Sequence, residues 1–329
     1  MTCRICAAST EPVLDLGSMP PANWLKATKD EQQDAFPLLV EWCRTCSNVQ
    51  LSHTVPADLL YRDYLYTTPQ SASLAAHYTV LLDYFAGRGM VDQSSFVLEM
   101  GSNVGNFLAV AAPHVGRVLG VDPATEIVAT ANERGVRTIA DFFTPDVARQ
   151  IIETDGTANL VLARHSLAHN ESPHSMVEAA RIALAEDGYL VIENAYVLDT
   201  VERGEFDQIY HEHMFYFSVT SMAALLALHD FSLVDVMLAD VHGGSIVFVA
   251  QRGSRAAGPR VETQRSREAG VLTADGFATF ARRAPDPGRS HRSRERSPRR
   301  RSLDLQLRRD GERQHIAELR GAHECADRA

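Results

Sequence analysis

The chain has 329 residues, of which 45% are hydrophobic and 22% charged, an ordinary make-up for a folded soluble protein with room for two or three domains. Its formal net charge is −10, but the body to about residue 280 is acidic, whereas from 281 onward arginine is in excess and lysine is absent. An acidic body argues against nucleic acid as a partner. No apolar run approaches the length of a membrane span and Met1 to Cys6 carries no apolar signal segment, so the expectation is a cytoplasmic protein with no membrane partner and reduced thiols.

Four of the five cysteines form two pairs, Cys3-x-x-Cys6 and Cys43-x-x-Cys46. Each C-x-x-C is a turn that presents two thiolates to one ion, and two such turns complete a tetrahedral Cys₄ zinc site with no open position, hence a structural rather than a catalytic metal. The long gap between Cys6 and Cys43 predicts a subdomain with hairpins of its own. Cys325 reads as a free thiol. Pro12 to Leu16 alternates as a strand does before breaking at Pro20-Pro21, and Val49-Gln50-Leu51 reads as another strand. Three tyrosines follow, Tyr61, Tyr64 and Tyr66, either core packing or a lid over a polar ligand, and then a helical stretch from Leu74 to Phe85.

Phe96-Val97-Leu98-Glu99-Met100-Gly101-Ser102-Asn103-Val104-Gly105 is an apolar run ending in an acid, followed by Gly-x-x-x-Gly and a new apolar run. That pattern predicts a buried strand turning tightly into a helix, with glycines that let a ligand approach the backbone. The G-x-G-x-x-G dinucleotide fingerprint is absent, so NAD is not the expected ligand. Glu99 stands where it could accept hydrogen bonds from a ligand hydroxyl or amine. Arg117 to Asp122 again ends in an acid, placed to hold a ribose diol. Asp141-Phe142-Phe143 follows a third short strand and offers a carboxylate and rings to an adenine. This succession resembles the Rossmann-like methyltransferases that bind S-adenosylmethionine, with Glu99, Gly101, Ser102, Asn103, Gly105, Asp122, Asp141 and Phe142 as cofactor-binding candidates.

Strands and helices alternate from Phe96 to Ala250, with strands around Leu98, Val121, Ile139, 159–163 and 189–193, a helix at 219–229, and final strands near 231–237 and 244–250. The prediction is an α/β fold: a seven-stranded, mostly parallel sheet covered on both faces, of the Rossmann-like class I methyltransferase type, joined to a small amino-terminal zinc-binding domain and an irregular Arg-rich tail. The expected division is 1–60 zinc-binding, 61–95 tyrosine-rich connector and lid, 96–253 methyltransferase, 254–283 helical, and 284–329 tail. Ligands bind beyond the carboxyl ends of strands in such sheets, which singles out His169 after the fourth strand and Tyr210, Glu212 and His213 after the fifth. His211 and His213 could chelate an ion from an extended segment, but the zincin H-E-x-x-H spacing is missing; proton transfer is the preferred reading.

Together these features resemble the zinc-containing sugar C-methyltransferases of deoxysugar biosynthesis, over about residues 1–283. The resemblance rests on the paired knuckles, the Tyr-x-Tyr and Ser-x-Ser stretch at 64–73, the Glu99–Gly105 loop, Ala163–His169, Tyr-His-Glu-His-x-x-Tyr-Phe-Ser at 210–218, and His242-Gly243-Gly244-Ser245. It implies methyl transfer from S-adenosylmethionine to a carbon beside the ketone of a nucleotide-linked, dTDP-type 4-keto-6-deoxy sugar, by a monomer or weak oligomer. It also implies roles: His213 as base, alone or with His169, Tyr210 as donor to the developing oxyanion, Glu212 as orienting group, Tyr64 and His242 as sugar contacts, and Cys3, Cys6, Cys43 and Cys46 as zinc ligands. An O- or N-methyltransferase, or an impaired cofactor- and zinc-binding remnant, are the competing readings. Two departures stand out: Val104 occupies a position usually Asp in that family, and the family's terminal Gly-Tyr-Gly-Ala and Lys-Gly signature is absent. In its place, Ala284 to Arg301 is an Arg/Ser-rich run that reads as a disordered or RNA-binding tail, or, preferably, as a GC-rich gene translated out of frame.

Overall fold

A computed structural model describes residues 1–23, 28, 32–56, 59–60, 67–68 and 71–284. Tyr61, Tyr64, Tyr66, Cys325 and the Arg-rich tail lie outside the described residues. The amino-terminal part is an antiparallel sheet of β1 (Glu11–Met19), β2 (Phe36–Trp42) and β3 (Val49–Leu51), to which a two-residue strand from much later in the chain, Phe215–Tyr216, is added.

Helix α1 (Ala72–Gly87) starts at Ser71, whose hydroxyl accepts from the amide of Leu74 and satisfies one of the free donors of the first turn. The second sheet then takes in β4 (Phe96–Met100), β5 (Arg117–Asp122), β6 (Thr138–Ala140), β7 (Ala158–Arg164), β8 (Leu184–Ala195), β10 (Phe231–Ala239) and β11 (Ser245–Arg252), β9 being the Phe215–Tyr216 strand. Its order is β10-β11-β8-β7-β4-β5-β6. The neighbours from β6 to β8 are parallel, and β11 alone runs against both of its partners. Seven strands were expected here from the alternation of apolar runs, and the sheet has seven.

Intervening helices are α2 (Asn106–Ala111), α3 (Thr125–Glu133), α4 (Pro145–Asp155), α5 (Pro173–Ala183), α6 (Val197–Arg203) and α7 (Val219–Ala227), followed by α8 (Pro259–Val271) and α9 (Ala274–Arg283). Strands β4 and β7 are buried along nearly their whole length because helices cover both faces. Val97, Leu160, Leu162 and Val191 pack towards Tyr78, Leu81, Phe85 and Phe107 of α1 and α2. Leu98, Val161, Ala163 and Ile192 join a core that runs without a break into Leu38, Val40 and Leu51 of the amino-terminal sheet. The two sheets therefore share one hydrophobic core. Glu268 of α8 fastens the region further: its carboxylate accepts the Tyr196 hydroxyl and the first amides of α7, at Val219 and Thr220. No helix among the described residues is long and apolar enough to cross a membrane.

The chain moves outward from β4 to β5 and β6, then returns to place β7 on the other side of β4. This reversal is the topological switch point, where open α/β sheets bind ligands.

Candidate active site and metal centre

At the switch point, β4 ends in a turn that only glycine fits. Gly101 has φ +69°, and a Cβ there would stand 2.5 Å from Cβ of Ser166. Gly105 has φ +73°, and a Cβ would meet Val136 Cγ1 at 2.7 Å. Asn103, with φ 51°, shares the left-handed conformation. Asp122, at the end of β5, accepts the amide of Asn103 at 2.9 Å and that of Ala124 at 3.0 Å, and so ties the glycine loop to the next strand. Burial raises the pKa of this carboxyl. From above, the amide of Thr68 donates to Asn103 Oδ1 at 2.9 Å and Asn106 Nδ2 donates to the carbonyl of Thr68 at 3.0 Å. Thr68 therefore lies across the loop. Ser102 is buried beside Gly120, where a Cβ would come within 2.3 Å of its Oγ. Asp141 and Phe142 stand on the open rim, with Phe142 46% exposed and Phe143 turned into the core.

Glu99 is fully buried and paired: Arg164 Nε and Nη2 reach its Oε1 at 2.8 and 2.7 Å. The guanidinium in turn lies over the rings of Tyr78 and Phe107. Burial lifts the Glu99 pKa to about 7 against the pull of Arg164. The next carboxylate along this sheet edge is Glu193, bonded to His77 Nε2 of α1 at 2.6 Å.

The second group of residues comes from the loop after α6. Ring nitrogen Nδ1 of His213 lies 2.9 Å from the carbonyl of Gln208, which can only accept, so Nδ1 carries the proton. Nε2 is then an acceptor and receives the hydroxyl of Tyr210 at 2.6 Å. His169 stands against the same ring at 5.0 Å between centroids. Burial lowers the pKa of His213 to about 4 and that of His169 well below its ordinary value, so both rings are neutral bases near pH 7. Glu212 turns the other way, accepting Asn23 Nδ2 at 3.0 Å, and His211 lies buried against the carbonyl of Phe36 at 3.2 Å. Of the three consecutive residues, His211 and Glu212 thus face the amino-terminal domain, and His213 faces Tyr210 and His169.

His242 has φ 50° and packs edge-on against His165, itself at φ 51°, with 4.5 Å between rings. Burial pushes the His165 pKa down to about 3. Arg164, His165, Glu193 and His77 were not among the residues expected from the sequence. Glu193 carried a readable signal, an acid at a strand end like Glu99 and Asp122. His77, inside a helix, carried none.

The four cysteine sulfurs lie within 4.8 Å of one another. Cys3 and Cys46 are 3.6 Å apart and Cys6 and Cys43 are 3.5 Å apart, close to the edge of about 3.8 Å expected of a tetrahedron with Zn–S bonds of about 2.3 Å. The two knuckles are built alike. Each opens with a cysteine amide bonded to a carbonyl five residues on, Cys3 to Ala8 and Cys43 to Asn48, both at 2.8 Å. Each is followed by a left-handed residue, Ala7 at φ 60° and Ser47 at φ 57°. Four thiolates at these separations suit a closed structural zinc site.

Residues 3–61 match the family model described as "putative zinc binding domain", and residues 74–236 match a methyltransferase domain. C-methyltransferase NovU of Streptomyces niveus is 37% identical over 251 residues, 75% of this chain and 60% of that protein. The chain thus spans about 60% of the length of that curated relative. Among solved structures, magnesium protoporphyrin IX methyltransferase from Synechocystis aligns at 14% identity and TM-score 0.44, over 55% of this chain and 84% of that one. N-methyltransferase NodS from Bradyrhizobium japonicum aligns at 16% identity and TM-score 0.42, over 56% and 99%. With a Cys₄ knuckle pair matching the zinc-binding model and a methyltransferase sheet behind it, the chain combines an amino-terminal zinc-binding domain with a methyltransferase domain.

Proposed function

We propose that the protein methylates a ring carbon adjacent to the ketone of a nucleotide-linked 4-keto-6-deoxy sugar, of the dTDP type, with S-adenosylmethionine as methyl donor. The observation that carries this reading is the Tyr210–His213 pair. A neutral imidazole with its tautomer fixed by a backbone carbonyl, and a phenol hydrogen-bonded to it, are the two groups an enolisation needs. The similarity to a C-methyltransferase supports it.

Proton removal beside a ketone is feasible only where charge on the enolate oxygen is met as it develops. In the proposed order the Tyr210 hydroxyl leaves His213 Nε2 and donates to the ketone oxygen. Nε2, now free, takes the proton from the adjacent carbon, and the C–H electron pair passes into the enolate. The resulting imidazolium keeps its bond to the Gln208 carbonyl. His169 supports the ring face of His213, and His165 and His242 line the same strand edge as sugar contacts. S-adenosylmethionine, when bound, supplies an electrophilic sulfonium methyl to the nucleophilic carbon. Gly101, Gly105, Asn103 and Asp122 would hold it, with Phe142 as a candidate contact for its adenine and Glu99 as a candidate acceptor for one of its polar groups. Zinc supplies folding, not chemistry, because all four positions are taken by thiolates.

The test is incubation of the zinc-loaded protein with S-adenosylmethionine and a panel of dTDP-4-keto-6-deoxyhexoses in D₂O. Deuterium uptake at the carbon that gains the methyl group supports the reading. Methyl gain on oxygen or nitrogen without exchange selects the O- or N-methyltransferase reading. Cofactor binding with neither exchange nor methyl gain selects the impaired remnant.

A further inference from the structure

We infer that Arg4, inside the first zinc knuckle, is a positioning residue for His213. The inference rests on the reading of His213 as the base, and it starts from an asymmetry between two otherwise matching knuckles. Both have the form Cys-Arg-x-Cys, Cys3-Arg4-Ile5-Cys6 and Cys43-Arg44-Thr45-Cys46, with the same backbone turn.

The two arginines have opposite environments. Arg44 stands in solvent, its side chain 55% exposed, paired with Glu11 at 2.7 Å and laid over Trp42. Arg4 is half-buried and crosses to the other domain. Its Nη2 donates to the carbonyl of Leu51 at 2.7 Å and to that of Met214 at 3.2 Å, while the guanidinium carbon lies 4.6 Å from the centre of the Phe215 ring. Its own amide donates to Gln50 Oε1 at 2.9 Å.

Met214 is the residue after His213, and its peptide is gripped on both sides. The carbonyl takes Leu51 N at 3.0 Å as well as Arg4, and the amide donates to Ala168 O at 2.9 Å, next to His169. Pairing of β3 with β9 continues the clamp through Gln50 with Phe215 and Val49 with Tyr216. Arg4 therefore links the folded knuckle, the edge of the zinc-domain sheet and the peptide that carries the candidate base. A guanidinium suits this place because its planar fork can serve two carbonyls and a ring at once, which an ammonium cannot. Groups of this kind act by holding the reacting geometry, where a displacement of about 1 Å costs about 10²-fold in rate.

The groups facing His213 are Tyr210 of its own loop, His169, Tyr216 of β9 and, by charge, His242. Among the described residues none of these comes from residues 1–60, and the link from the knuckle to His213 runs through the backbone of Met214.

The experiment uses the full chain with Arg4→Ala, Arg4→Lys, Phe215→Leu and, as control, Arg44→Ala. Zinc content, affinity for S-adenosylhomocysteine, the NMR titration of the His213 ring, and proton exchange into the ketosugar are measured for each. With zinc and cofactor affinity retained, Arg4→Ala is expected to slow exchange about 10- to 100-fold with KM little changed. It should also raise the His213 titration point towards that of a solvated imidazole, and millimolar guanidinium should restore part of the rate. Arg4→Lys and Phe215→Leu should fall between, and Arg44→Ala should match wild type. The inference is overturned if Arg4→Ala leaves the His213 titration and exchange within twofold of wild type, or if losses in every Arg4 variant simply track loss of zinc. Should the wild type exchange no proton with any ketosugar, the sugar reading fails, while the His213 titration still decides the role of Arg4.

Discussion

The hydroxyl of Tyr210 lies 2.6 Å from Nε2 of His213, on the ring whose other nitrogen is committed to the Gln208 carbonyl. The neutral ring of His213 therefore has a fixed tautomer, with Nε2 as its acceptor. His213→Gln, which keeps a polar side chain but no basic nitrogen, is expected to lower ketosugar proton exchange by about 10²- to 10⁴-fold. Tyr210→Phe should cost about 10²-fold through loss of the proposed oxyanion donor. Both should leave S-adenosylhomocysteine affinity unchanged by calorimetry; equal exchange in wild type and His213→Gln would remove the base assignment.

Acid should destabilise this fold earlier than its carboxylates alone would require. In the folded chain burial pushes His213 down to about 4 and His165 down to about 3, from 6.5 for a free imidazole. Between those values the unfolded chain binds more protons than the folded one, so the stability these rings contribute is present above 6.5 and is lost as pH falls towards 4. Glu99 works in the opposite sense: raised from 4.5 to about 7, it takes stability away as pH rises through that interval. Thermal unfolding of His165→Gln between pH 7 and 4.5 should show a shallower fall in Tm than wild type, and Glu99→Gln a steeper one.

Glycine substitutions separate backbone strain from collision. Gly17 and Gly105 share a left-handed φ, +75° and +73°, but a Cβ at Gly17 meets nothing within 4 Å whereas at Gly105 it overlaps Val136. Gly17→Ala is expected to cost about 1 kcal/mol, from strain alone. Gly105→Ala should cost about 2–4 kcal/mol and weaken S-adenosylhomocysteine binding as well. Denaturant unfolding measures the first difference and calorimetry the second.

Breaking the Glu99–Arg164 pair on one side should be worse than removing both charges. Arg164→Met leaves Glu99 buried without its partner, either as an unpaired charge or forced to take up a proton, and is expected to destabilise by about 3–5 kcal/mol. Adding Glu99→Gln should recover a substantial part of that loss, as read by a double-mutant cycle in urea.

Zinc should be present at one ion per chain and needed for the candidate active site as well as for the knuckles. Cys6→Ser is expected to lose the metal, lower Tm and slow proton exchange, because Phe215–Tyr216 is an edge strand of the sheet that the knuckles fold. Metal content by emission spectroscopy and exchange on the same sample check this; full exchange without zinc would show that the loop holds itself.

Much of this protein is decided locally and is therefore readable in one dimension. The C-x-x-C turns, the buried strands covered on both faces, and the glycine loop at the end of β4 follow from spacing, apolar runs and the absence of a Cβ, and each sits where the pattern predicts. Tertiary structure alone decides which side chains meet. Nothing in the order of residues shows that Glu99 is neutralised by Arg164 from a neighbouring strand, that His77 in the middle of a helix finds Glu193, or that Arg4 and Met214 touch. The loop shows the limit most clearly. In Tyr-His-Glu-His the alternate residues look equivalent, yet His211 meets the carbonyl of Phe36 and one oxygen of Glu212 takes the amide of Asn23, while Tyr210 bonds His213. The reason is that strand pairing between Gln50 and Phe215 sets the face each neighbouring residue presents, and a pairing between residues so far apart in the chain is a property of the packed core.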